Sequence, residues 1–80
     1  MKIQFASQFE RSYAKIPSSI KKAFDRKLVL LLKNIRHPSL RAKKYDEIGD
    51  IWQARVNRDY RFYFQIEDDT YKIISIIPHP

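Results

Sequence analysis

Cysteine is absent from the 80-residue chain, which rules out a disulfide framework and a thiolate metal site. Histidine is scarce, and His37 and His79 lie too far apart in sequence to suggest a metal centre. No apolar run approaches the ~18–20 residues of a membrane span, and the opening MKIQFASQFER lacks the apolar centre of a signal peptide. These absences point to a cytoplasmic protein with no metal, no cofactor and no membrane contact. Glycine occurs once, at Gly49, and neither internal repeats nor low-complexity segments occur.

What is present is a globular composition, 44% apolar and 31% charged. A chain this short has room for one core, so residues 1–80 read as a single domain that buries about 60–65% of its unfolded surface. The formal charge of +7 is unevenly spread. Residues 1–45 carry twelve Lys/Arg against Glu10 and Asp25, while residues 46–80 carry four Lys/Arg against seven Asp/Glu. A basic field of this size favours polyanions, meaning nucleic acid or an acidic protein; a plain solvated surface accounts for it equally.

The segment KIQF (2–5) reads as a first strand with Ile3 and Phe5 on one face. Ser7 followed by Glu10 fits a capping box, after which Phe9, Tyr13 and Ile16 mark a short amphipathic helix stopping before Pro17. A second helix follows, capped by Ser18 or Ser19 and ended by Pro38. Its apolar stripe is Ile20, Phe24, Leu28, Leu31 and Ile35, broadened by Val29, Leu30 and Leu32 into a well-buried helix. Helices joined so closely pack as an antiparallel hairpin. Residues 39–50 read as a polar linker, followed by strands at about 51–57, 60–67 and 70–77 with a turn at Asp68-Asp69. The fold class is therefore α+β: a strand, a helix hairpin, then a three-stranded antiparallel meander. Trp52, Val56, Phe62, Phe64 and Ile73 should pack on Phe24, Leu28 and Leu31.

Strand parity singles out the arginines of IWQARVNRDYRFYF (51–64). Apolar residues of the first hairpin meet only if paired numbers sum to an even value, because a one-residue slip turns every side chain over. A three-residue loop at 58–60 satisfies this and pairs Val56 with Phe62, Ala54 with Phe64 and Trp52 with Ile66. Arg55 and Arg61 then become diagonal neighbours, roughly 7 Å apart at the backbone, on a face also holding Gln53 and Tyr63. No acidic residue shares that face in the two strands, and Asp59 in the loop is the nearest candidate partner. One such arginine suits an ordinary polar sheet face; two suggest an unfilled anion site, since a phosphate accepts forked hydrogen bonds from both guanidinium groups. The turn at Asp68-Asp69 pairs Ile66 with Tyr71 and Phe64 with Ile73, leaving Lys72 on the arginine face and bringing His79 to the arginine end. Histidine is the side chain whose ordinary pKa, about 6.5, suits proton transfer near neutrality.

The order of elements, with IWQARVNRDYRFYFQIEDD and the preceding HPSLRAKK, resembles the RelE/ParE superfamily of bacterial toxin–antitoxin toxins over nearly the whole chain. The resemblance implies the β-α-α-β-β-β fold and a toxin neutralised by a cognate antitoxin protein. RelE-like members cut messenger RNA on the ribosome by making a ribose 2′-hydroxyl attack the neighbouring phosphate; ParE-like members poison DNA gyrase and are not nucleases. A degenerate toxin that only binds antitoxin or RNA is a further alternative. Carried over, Arg61 matches the arginine of the Tyr-Arg motif that holds the scissile phosphate. Arg55 falls where RelE-type toxins carry a lysine, and His79 lies close to a histidine acting as general acid in the YoeB-like branch. Gln53 replaces a second lysine, and the common C-terminal tyrosine is absent. Arg55, Arg61 and His79 are thus the expected catalytic residues, and Lys43, Lys44, Arg58 and Tyr63 the expected RNA contacts.

Overall fold

Strand β1 (Lys2–Phe5) opens the computed structural model, which describes residues 1–79. Helices α1 (Ser7–Ala14) and α2 (Ser18–Lys33) follow, then a 3₁₀ turn at Pro38–Leu40. Strands β2 (Lys43–Asp46), β3 (Ile51–Arg55), β4 (Tyr60–Glu67) and β5 (Thr70–Pro78) complete a five-stranded sheet in the order β1-β5-β4-β3-β2. β1 runs parallel to β5 and the other pairs are antiparallel. The expected α+β order is present, with one addition. Lys43–Asp46, expected within a polar linker, pairs with β3 as an edge strand. Its mixed charged sequence hid it, since a strand at a wet edge needs little apolar content.

Neither helix starts as its serines suggested. Ala6 ends the β1 ladder by donating to Ile73 O (2.9 Å), and its own carbonyl accepts from the N–H groups of Phe9 and Glu10. Ala6 is therefore the N-cap, Ser7 is already helical, and no side-chain cap forms. Likewise Pro17 caps α2 through its carbonyl, which leaves Ser18 and Ser19 inside the first turn. α2 also ends earlier than Pro38. Asn34 turns extended (φ −166°), its side chain accepts from the N–H of Arg36 (3.0 Å), and Pro38 instead opens the 3₁₀ turn.

The core lies between the helix hairpin and one sheet face. Phe24 and Leu31 of α2 meet Ala54, Val56, Phe62, Phe64, Ile73 and Ile76, with Leu28 and Trp52 at the margin. Phe24 stacks edge-on against Phe62 (5.2 Å between ring centres) and also packs on Phe9 of α1 at 5.3 Å. The apolar stripe of α2 is narrower than expected: Val29 and Leu32 face outward, 51% and 43% exposed. One helix lying on one sheet buries one stripe, and among the described residues no other element covers its outer side.

The β3–β4 register differs from the expected one by two residues. Ala54 pairs with Phe62 and Trp52 with Phe64, because the loop spans 57–59 instead of 58–60. Asn57 is the cause: its Oδ1 accepts the N–H groups of Asp59 (2.8 Å) and Tyr60 (2.9 Å), closing the turn one residue early. A slip of two keeps every side chain on its expected face. The last hairpin pairs as expected at Ile66–Tyr71 and Phe64–Ile73, and a bulge then leaves Ile74 unpaired. Without that bulge, alternation would turn Ser75 into the core and Ile76 away from it.

Candidate functional site

On the sheet face turned away from the helices, Arg55 and Arg61 stand directly opposite each other, closer than the expected diagonal. Like charges opposed across a ladder destabilise it, so the pair calls for a counter-charge. Asp59 does not supply one. Its carboxylate lies 3.9 Å from the exposed Arg58 instead. Among the described residues, neither Arg55 nor Arg61 makes a salt bridge.

The Arg61 guanidinium is nonetheless held. Its Nη1 donates to the carbonyls of Asn57 (2.7 Å) and Tyr60 (3.0 Å), with a longer contact to Arg58 O (3.4 Å). The 57–59 loop thus fixes one cation through carbonyl dipoles, which leave the charge in place. The same loop holds the chain end: His79 donates its backbone N–H to Asp59 O at 2.7 Å. Loop, arginine and histidine form one connected unit.

These groups border an open cleft of about 330 Å³ lined by Arg41, Lys43, Gln53, Ala54, Arg55, Arg61 and His79. Four of the lining side chains are cationic and none is acidic. Gln53, almost buried, forms part of the wall and donates from Nε2 to the Tyr63 hydroxyl (2.9 Å). Tyr63 therefore supports the cleft from its own face, with its ring 5.1 Å from that of Tyr45.

The structure gathers Arg55, Arg61, His79 and Lys43 of the anticipated residues at this cleft. Arg58 lies at the exposed loop tip. Lys44 points elsewhere: it pairs with Trp52 across the ladder, its ammonium bonds Asp50, and it sits 5.3 Å above the Trp52 ring. The Asp50 hydrogen bond raises the Lys44 pKa above the ordinary lysine value. Lys72 pairs with Gln65 on the arginine face but does not line the cleft. Arg41 went unnoticed in the sequence, because its position depends on a left-handed backbone (φ 47°, ψ 41°) at the end of the 3₁₀ turn. The only sequence signal for it was its place in the basic run after Pro38.

A sheet with a helix hairpin packed on one face is the fold of solved toxin structures. A YoeB/ParE toxin from Agrobacterium tumefaciens superposes with a TM-score of 0.82 at 10% identity, covering 100% of both chains. The YoeB dimer from Staphylococcus aureus gives 0.80 at 19% identity, covering 100% of this chain and 98% of that one. The archaeal RelE–RelB complex from Pyrococcus horikoshii OT3 gives 0.77 at 20% identity, over 96% and 92%. No curated protein matches the chain in sequence. The model of the ParE toxin family of type II toxin–antitoxin systems matches residues 3–79, and the chain belongs to that family within the RelE/ParE superfamily.

Proposed function

We propose that this type II toxin is a ribosome-dependent endoribonuclease whose cleft holds the scissile phosphate of messenger RNA. The observation that carries this reading is the opposed Arg55–Arg61 pair, without acidic partners, beside His79 in one cleft. Arginine stays protonated and is a poor base, so the pair's role is to stabilise charge at the phosphorane. The ribose 2′-oxygen attacks phosphorus as the bond to the 5′-oxygen breaks, leaving a 2′,3′-cyclic phosphate and a 5′-hydroxyl. His79 donates the proton that the departing 5′-oxygen needs, and the 2′-hydroxyl proton passes to solvent. Arg41 and Lys43 hold the flanking backbone. The partners are a cognate antitoxin protein, the ribosome and messenger RNA, which places the toxin in the cytoplasm.

A gyrase-directed toxin is the second reading, favoured by the ParE family match and by Gln53 where RelE-type toxins carry lysine. Inducing the protein without antitoxin separates the two. New messenger RNA 5′ ends inside translated codons are expected within minutes. Gyrase trapped on DNA with intact messenger RNA would overturn the nuclease.

A further inference from the structure

Arg41 and Arg55 have a second side. Both also line a neighbouring open cleft of about 550 Å³, completed by Lys27, His37, Pro38 and Ser39. Lys27 reaches it from α2, its ammonium donating to Ser39 O at 3.2 Å. Burial, followed by repulsion from Arg55 and Arg26, lowers the Lys27 pKa. His37 accepts the Ser39 N–H at Nδ1 (3.2 Å), a bond that leaves its remaining ring proton on Nε2 as a free donor. No acidic side chain lines this cleft either. Arg41 joins the two clefts from a left-handed backbone that side chains with a Cβ rarely adopt, and glycine would occupy that position with less strain.

We infer that this second cleft is a backbone subsite for single-stranded RNA, in which Lys27, His37 and Arg41 grip a phosphate adjoining the one held by Arg55 and Arg61. The inference rests on reading the first cleft as the RNA site. It extends the RNA path from β3 across the 3₁₀ turn towards α2, a surface that the catalytic reading leaves unused. Shared Arg41 and Arg55 make the two clefts one continuous cationic track.

The test is NMR titration of the full chain with 2′-O-methyl RNA, which cannot be cut, as a dinucleotide and as a hexanucleotide. The hexanucleotide alone should shift the amides of His37 and Ser39, and should show a steeper salt dependence. Lys27→Gln should weaken hexanucleotide binding by roughly three- to tenfold, lower its logarithmic salt slope by about 0.7, and leave the dinucleotide unaffected. Lys27→Arg, which keeps both the charge and a donor for Ser39, should restore binding. Hexanucleotide binding by Lys27→Gln at wild-type strength and slope would overturn the subsite, as would unmoved His37 and Ser39 amides in the wild type. Arg61→Gln with the dinucleotide reports separately on the first cleft: undiminished binding there would overturn the reading of that cleft and with it the adjoining subsite, whereas Lys27→Gln reports on the subsite alone.

Discussion

Arg41 adopts φ 47° and ψ 41°, where the Cβ of an L-residue crowds the following carbonyl at a cost of roughly 1–2 kcal/mol. Glycine meets no such clash there, although it loses more backbone freedom on folding. An arginine at this position is explained by its guanidinium, which borders both cationic clefts. Arg41→Gly should therefore leave unfolding free energy unchanged or raise it by up to about 1 kcal/mol in urea titrations, while weakening RNA binding. A destabilised variant that binds RNA normally would contradict that explanation. Arg61 has the opposite character, since its Nη1 bonds to Asn57 O and Tyr60 O make it part of the loop as well as of the cleft. Alanine there removes a loop clasp together with a charge. Arg55, which makes no side-chain hydrogen bond among the described residues, separates the two effects more cleanly.

At the scale of elements, α1 packs on the sheet through Phe9 and, among the described residues, is hydrogen-bonded to it through one hydroxyl. β1 pairs with β5 only as far as Ile73, and beyond it the edge of β5 would be open. Ser12 closes that gap: its Oγ donates to Phe9 O (2.9 Å) and accepts the N–H of Ile76 (3.1 Å). Ser12→Ala should cost about 1–3 kcal/mol by leaving a partly buried amide without a partner. Faster hydrogen exchange at Ile76 is the specific sign, and unchanged protection there would refute the role. Ser12 carried no mark in the sequence, because its partner lies 64 residues away. The stripes of Phe9, Phe24 and Leu31 and the parity of Phe62 and Phe64 were readable, since burial of one face leaves a period in the sequence. Features that leave no such period were not: the early turn closed by the Asn57 side chain, the bulge at Ile74 and the edge strand Lys43–Asp46.

Across the whole molecule, charge is sorted along the sheet. Asp46, Glu47 and Asp50 gather at the β2–β3 turn, and Glu67, Asp68 and Asp69 at the β4–β5 turn. Both turns lie at one end of the strands, while Arg55, Arg61 and His79 lie at the other. A chain of net charge +7 with six of its nine acids at the far end presents the cleft first to a polyanion. The arginine pair and His79 were visible from parity and from the last hairpin's direction. Lys27 and Arg41 were not, because the 3₁₀ turn that brings them together is a tertiary feature. The central assignment is tested most directly by the single-turnover cleavage rate of Arg55→Gln on messenger RNA in purified programmed ribosomes, with thermal unfolding as control. A rate about 10²–10³ lower than that of the wild type, with the unfolding temperature unchanged or raised as the Arg55–Arg61 repulsion is relieved, is the expected result. A folded Arg55→Gln protein that cuts at the wild-type rate would mean that the cleft does not hold the reacting phosphate.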